Sequence, residues 1–422
     1  MVTVAISGLG SRGKDTYAKC QHIFPERMRI VAIADPIAEK VEEVREEYGV
    51  DPSLCFSSAE EMLEREKLAD VMFVCTQDRQ HYAHAMKAME KGYDLLLEKP
   101  ISPSPDECRK IQETAERLGR RVVVCHVLRY TPFYQYIYRT LRSGEIGKIV
   151  AIQAIENVGY WHQAHSFVRG NWRNSEETSP MILQKSCHDM DILRWLCGQP
   201  CARISSFGSL MHFRRENAPE GSAERCLDCP GEVRKNCPYD AEKIYLTDEA
   251  TGVLAGHTGW PANVLVSHPT EESVREALRT GPYGRCVYRC DNDVVDHQVV
   301  NMEMEDGAAV SFTMCAFNRG GRSVKIMGTM GEILGDMNEN RVTVVRFGEK
   351  PRTVDIRSLA EDFSGHGGGD NRLVEDLLDM MEGNGKGQAL TSIEQSMESH
   401  YMAFAAEESR RRGGKVVVLE KA

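Results

Sequence analysis

The sequence predicts a two-part α/β protein, a doubly wound parallel sheet over residues 1–126 followed by a second α/β domain over 127–422. Three observations carry this. Short apolar runs alternate with helical patterns as far as residue 125, a glycine-rich turn, GLGSRG, follows the first run, and residues beyond 297 alternate apolar and polar around a tight turn. Alternation of the first kind marks βαβ units and a parallel sheet, whereas the last marks antiparallel hairpins. A chain of 422 residues is long enough for two cores.

Taken in order, Val2 to Ile6 is a buried strand, and the glycine turn leads into a helical stretch through Lys19 and His22. Arg29 to Ala34 is a strand, Ile37 to Tyr48 a helix, Cys55 and Phe56 a short strand, and Ala59 to Glu66 a helix. Val71 to Cys75, Leu95 to Leu97 and Val122 to Cys125 read as strands, with helices over Gln80 to Lys91 and Pro105 to Leu118 between them. In the turn, Gly8 permits the sharp bend, Gly10 lets a backbone approach a pyrophosphate, and Gly13 lets the helix pack on the strand, with Ser11 and Arg12 between them. The second strand ends in Asp35, where an acid binds adenosine ribose hydroxyls and repels a 2′-phosphate. The expected cofactor is NAD, with NADP the lesser alternative because Arg12 could compensate. Thr76 and His81, just past a strand end, are further candidate cofactor contacts, or else helix caps.

The stretch Asp94 to Pro100, DLLLEKP, ends a strand on Glu98 and Lys99, where open α/β sheets bind their ligands. With the glycine turn upstream, it resembles the Gfo/Idh/MocA family of NAD(P)-dependent oxidoreductases. The similarity extends through Arg129 and Tyr130 in HVLRYTPFY, SGEIGK around Gly144 to Gly147, and CHDMDILRWLCG from Cys187. The resemblance implies a Rossmann domain plus a C-terminal α/β domain whose open, largely antiparallel sheet carries the substrate site and often an oligomer interface. It implies that Lys99 approaches the reacting hydroxyl and that His188 is the histidine of a second catalytic motif. It implies an NAD-dependent oxidoreductase of a sugar or polyol, with a redox-neutral NAD-dependent glycosidase as the alternative. Many members carry an aspartate four residues before that histidine; here Gln184 stands there, with Lys185 beside it. An amide cannot exchange a proton, so Lys99 and His188 share the acid/base work or the chemistry departs from simple polyol oxidation.

After a strand at Ile149 to Glu156, aromatics, imidazoles and guanidiniums crowd the stretch from Gly159 to Arg173. Such a set suits a sugar site, and Tyr160, His165 and Trp172 are the candidate contacts, with Arg129, Gln184 and Lys185 beside them. His162, His165 and His188 also admit a catalytic divalent metal. Residues 216–290 read as a cysteine-rich insertion containing Cys226-x-x-Cys229 and then Cys237, with Cys286 and Cys290 further on. Cys226, Cys229 and Cys237, with Cys286 over Cys290 as the fourth ligand, are expected to hold a structural metal, zinc before an iron-sulfur cluster, or else to be reduced or redox-pairing thiols.

Hairpin strands follow at Val299 to Met304 and Ala308 to Cys315, then runs at Lys325 to Gly331 and Arg341 to Phe347. Gly365 to Asp370 is a glycine-rich loop that presents His366 to the substrate cleft or serves as a linker, ahead of a helix over Asn371 to Met381. A final helix, Ser392 to Arg412, is expected to pack back on the first domain before a last strand at Lys415 to Leu419.

The net charge of −11 and the lack of a Lys/Arg cluster point away from nucleic acid. No apolar run is long enough for a bilayer, the expected location is the cytosol, and a carbohydrate substrate and a homo-oligomer are the expected partners. Most of the fourteen cysteines are then expected to be buried thiols.

Overall fold

Two sheets organise the chain in its computed structural model, which describes residues 1–384 and 388–419. Residues 385–387 and 420–422 of the expected second domain lie outside the described residues. The first sheet contains β1 (Val2–Ser7), β2 (Met28–Ala34), β3 (Cys55–Phe56), β4 (Val71–Val74), β5 (Asp94–Leu97) and β6 (Val122–Val124). All its pairings are parallel, in the order β3-β2-β1-β4-β5-β6. Its strands are almost wholly apolar because both faces are covered. Val4, Ile6, Phe73 and Leu96 enter one apolar cluster, and Ala5, Met72, Val74, Leu95 and Leu97 enter the other. Strand order reverses between β1 and β4, which opens a crevice beyond their C-terminal ends.

The second sheet contains β7 (Ile149–Asn157), β8 (Cys201–Ser209), β9 (His297–Met304), β10 (Ala309–Cys315), β11 (Gly321–Gly328), β12 (Gly331–Asp336), β13 (Arg341–Arg346), β14 (Arg352–Asp355) and β15 (Val417–Val418). Their order is β14-β13-β12-β11-β7-β10-β9-β8-β15, and every pairing is antiparallel except β7 with β10. The hairpin expected around Glu305 to Gly307 is β9 against β10. Three strands were not anticipated by the sequence reading. Serines and a glycine blur the alternation of β8, glycines bracket the core of β12, and β14 is an exposed edge, so each depends on its neighbour for strand identity. The run from Lys325 to Gly331 divides into the end of β11, a turn and the start of β12.

One face of this sheet packs against helices Pro132–Arg142, Cys187–Cys197 and Ile393–Arg411 through Ile137, Met190, Leu193 and Met402. The other face exposes Val150, Ile155 and Leu334. The last helix serves both sheets. Ile393 and Met397 lie in the first sheet's core, while Met402, Ala403 and Ala406 lie in the second's. Helix Gly369–Glu382 adds Leu373, Val374, Leu377 and Leu378 to the first core.

The aromatic stretch forms helical turns, Tyr160–His162 and Gln163–Arg169. Ala164 and Val168 join a separate apolar cluster with Phe213, Tyr239, Tyr245 and Tyr283 from the segment between β8 and β9.

Candidate active site

The glycine turn is sterically determined. A Cβ on Gly8, whose φ is +86°, would lie 2.5 Å from the Cys75 carbonyl oxygen, and one on Gly13 would lie 1.9 Å from the Gly8 carbonyl oxygen. A Cβ on Gly10 would meet nothing within 4 Å. The chain itself therefore requires the first and last glycines, and the middle one faces open space that fits a dinucleotide pyrophosphate. Asp35 is braced at the end of β2, accepting from the Leu9 amide at 2.7 Å and the Ile37 amide at 2.9 Å. That places its carboxylate beside the turn, as an acid that reads a ribose must be. Thr76 Oγ1 lies 3.0 Å from His84 Nδ1.

Glu98 and Lys99 leave the end of β5 in different directions. Glu98 is buried, accepting from Arg12 Nε at 2.6 Å and the Tyr17 hydroxyl at 2.8 Å. Burial raises its pKa, but Arg12 and Lys99 and the hydrogen bonds outweigh that and hold the carboxyl below its ordinary value. Arg12 also donates to Asp370 at 2.7 Å. Its guanidinium thus bridges Glu98 to the glycine loop near the C-terminus, and the proposed compensation of a 2′-phosphate is not its position here. Lys99 Nζ crosses to the second half of the chain and donates to the Gln184 carbonyl oxygen at 2.8 Å.

Three of the expected groups gather around that amine. His188 is buried, its Nδ1 has no hydrogen-bond partner among the described residues, and its ring lies 6.0 Å from that of His366. Burial first, then Lys99, His126 and His366, push the His188 pKa well below the imidazole range. Asp370 accepts from the His366 backbone amide and sits 3.1 Å from its Nδ1. Lys185 contacts Glu156 at 3.3 Å, and Arg322 bridges Glu156 at 2.7 Å to Asp189 at 2.8 Å. Burial lowers the Lys185 pKa, with Glu156 opposing and Arg322 reinforcing the shift.

Other expected contacts are spent inside the protein. His81 places one ring nitrogen 2.7 Å from the Pro100 carbonyl oxygen and the other 3.0 Å from that of Thr76, so it fastens two loops instead of facing a ligand. Arg129 is buried and pairs with Asp191 through two bonds of 2.8 and 2.6 Å, and it also donates to the Leu390 and Gln395 carbonyl oxygens. Four of a guanidinium's five donors are thereby occupied. Replacing Arg129 by leucine should cost about 3–5 kcal/mol, because it strands a buried carboxylate. Denaturant unfolding of the variant checks this, and a loss under about 1 kcal/mol would contradict it.

His165 is turned to the insertion, its Nδ1 2.8 Å from the Tyr245 hydroxyl and its ring stacked on Tyr283. Burial, reinforced by Arg169, lowers its pKa to about 3. Tyr160 packs on Tyr239, and Trp172 Nε1 reaches Asp78 at 3.4 Å beside the Ser179 hydroxyl.

The three imidazoles proposed for a catalytic metal do not converge. Among the described residues, the one set of three potential ligand atoms within 4.8 Å of one another is Glu39, Glu43 and His268. Cys226, Cys229, Cys237 and Cys286 therefore also lack that spacing, although all four line one small separate cavity.

Two residues near the amine were not among the predicted substrate contacts, although His162 was expected as a candidate metal ligand. His162 has its pKa lowered by burial, then by Lys185, His165, Arg322 and Lys99, and its ring lies 4.9 Å from that of Trp260. His126 follows β6 as Lys99 follows β5, and its ring lies 5.9 Å from that of His188. That parallel position after a strand end was the available signal.

Both halves of the chain resemble known proteins. Residues 2–126 match the model of an oxidoreductase family with an NAD-binding Rossmann fold, and residues 139–418 match that family's C-terminal alpha/beta domain. YteT of Bacillus subtilis (strain 168), named only as an oxidoreductase, is 23% identical over 388 residues, which covers 88% of this chain and 82% of YteT. The 2,7-anhydro-N-acetylneuraminate hydratase of Mediterraneibacter gnavus is 27% identical over 199 residues, 47% of this chain and 50% of the hydratase. The structure of levoglucosan dehydrogenase in complex with NADH has a TM-score of 0.71 at 16% identity, over 100% of both chains. No helix among the described residues is long and apolar enough to cross a membrane. With both family models matched and the glycine turn, Asp35 and Lys99 at the sheet's crevice, the chain belongs to the Gfo/Idh/MocA family of NAD-binding oxidoreductases.

Proposed function

We propose that this enzyme oxidises a secondary hydroxyl of a carbohydrate or polyol, with Lys99 receiving the hydroxyl proton and His188 assisting. The observation that carries the reading is the convergence of Lys99, His188 and His366 at the crevice of the dinucleotide half. Bound NAD supplies the hydride acceptor. Gly8, Gly10, Ser11, Gly13, Asp35 and Thr76 would hold it.

His188 is kept neutral by burial and neighbouring cations, so it has a ring nitrogen able to accept a hydrogen bond from the substrate. Lys185, held by Glu156, is a fixed donor for the remaining hydroxyls, and His366, held by Asp370, is a fixed polar partner for them. The exposed apolar face of the second sheet, with Val150, Ile155 and Leu334, suits a second copy of the chain. The cytosol remains the expected location.

A second reading is favoured by Gln184 and by the hydratase relative. In it the oxidation is transient, the activated sugar eliminates its aglycone and adds water, and the hydride returns. Both readings are tested by incubating the protein with NAD and a panel of free sugars and chromogenic glycosides, following NADH and aglycone together. NADH accumulating with a free sugar supports net oxidation. Aglycone released without NADH, and lost when NAD is stripped away, replaces it with the redox-neutral cycle.

A further inference from the structure

We propose that Cys226, Cys229, Cys237 and Cys286 bind one zinc ion that staples the insertion between β8 and β9. This segment, residues 210–296, contributes no strand to either sheet. It consists largely of short turns, with helices Gly231–Asn236 and Glu271–Thr280, around its own small apolar cluster. So small a core, attached to a larger domain, is the setting in which a metal adds most to folding.

The four cysteines come from three separate places. Cys226 and Cys229 flank a tight turn in which the Cys229 amide donates to the Cys226 carbonyl oxygen at 3.2 Å. Cys237 ends the helix that follows. Cys286 is brought back from far along the chain by an antiparallel bridge between Arg225 and Arg285, with its amide on the Glu224 carbonyl oxygen at 2.9 Å. All four line one cavity of about 20 Å³, and none is in a disulfide. That space suits a single small occupant.

Arg169 provides an independent indication. It is 1% exposed, lines the same cavity and places Nη2 3.3 Å from Cys226 Sγ, yet its Nη1 has no partner among the described residues. A buried guanidinium with an idle donor calls for an anion. Four thiolates around one divalent cation carry a net charge of −2, which would supply it. Binding breaks four S–H bonds, forms four Zn–S bonds and releases four protons to solvent, with no change of oxidation state. The sulfurs are not yet at ligand spacing. The ion would draw them to the separation of roughly 3.8 Å that a tetrahedron with Zn–S near 2.3 Å requires.

The consequence reaches the active site through packing. The same segment sets Trp260 against His162, and its Asn263 and Ser267 reach Asp15 and Glu39 of the dinucleotide half at 3.0 and 3.1 Å. A closed four-thiolate site leaves no open position for chemistry, so the ion acts on the insertion's geometry alone.

The test is elemental analysis of the full-length protein, purified without chelator, together with native thiol titration before and after a strong zinc chelator. One zinc per chain is expected, with four thiols becoming reactive on chelation and a visible thiolate-to-metal band on cobalt substitution. The C226S/C229S variant should lose the metal, whereas C290S should keep it. Should the double variant fail to fold, the wild-type chelation and cobalt measurements still decide. A zinc-free protein that takes up neither zinc nor cobalt would overturn the proposal. So would a brown iron-sulfur chromophore, two disulfides among the four cysteines, or full zinc retention in C226S/C229S. None of these outcomes bears on the oxidoreductase reading, which rests on other residues.

Discussion

Replacing Lys99 by methionine should lower kcat by roughly 10²–10⁴-fold, the contribution of a positioned proton-transfer group, while NAD binding followed by fluorescence stays nearly unchanged. The expectation comes from position. Lys99 leaves β5 at the crevice, makes no ion pair with a carboxylate among the described residues, and is aimed across it by one bond to the Gln184 carbonyl oxygen. Lys99→Arg is the sharper variant. It keeps the positive charge and a donor for that carbonyl, yet a guanidinium does not give up its proton near neutral pH. Both variants should be slow if Lys99 transfers a proton. Arginine should restore turnover if only the charge or the crossing bond matters, and that result would remove Lys99 from the acid/base role.

The folded state should be unusually sensitive to mild acid. His126, His165, His188 and His400 are all buried. Burial is the largest cause of a lowered pKa in each, to about 3 for His165 and His400 and well below the imidazole range for the other two. Unfolded, each titrates near 6.5. Below that pH the unfolded chain binds protons that the folded chain refuses, so stability falls as pH drops from about 6.5 toward the folded values. Each imidazole contributes a slope of about 1.4 kcal/mol per pH unit, and the four together about 5.

Three buried carboxyls, Asp189, Asp191 and Asp240, oppose them, each raised chiefly by burial. Asp189 is pushed up to about 6, chiefly by burial, with Arg322 opposing and Glu156 adding to the rise. Its folded form takes a proton first between about 6 and 4, which offsets roughly one histidine. Glu98 and Asp370 are held below the ordinary carboxylate range, so their contribution is lost only at lower pH. Denaturant midpoints measured from pH 7.5 to 5 check the prediction. A flat profile would contradict it, and His400→Gln should make the slope shallower by one imidazole's share, about 1.4 kcal/mol per pH unit.

The positions of the glycine turn, Asp35, Glu98 and Lys99 were readable because they are set locally. Each ends a strand of a parallel sheet, and the apolar runs that make those strands are short and unambiguous. The hairpin of β9 and β10 was readable for the same reason, from alternation and a turn. Arg129, His81 and His165 were misplaced because their residue types suit a ligand equally well as a buried strut. Nothing within a few positions of Arg129 reveals that Asp191 will be opposite it, or near His165 that Tyr245 and Tyr283 will enclose it. His366 lay on a glycine-rich loop whose destination was open, and it reaches His188 because Asp370 anchors that loop through Arg12 to Glu98.

By itself the sequence determined the alternating parallel sheet, the dinucleotide cradle and the lysine at its crevice. These follow from strand periodicity, from the small size of glycine and from the position of a residue just past a strand end. Only the tertiary structure decided which polar side chains face that lysine. The reason is that a buried charge or imidazole must be satisfied by groups far away in the chain. Arg129 found Asp191, Arg12 found Glu98 and Asp370, and Lys185 found Glu156, and the positions of those partners fix which side chains remain to meet a substrate.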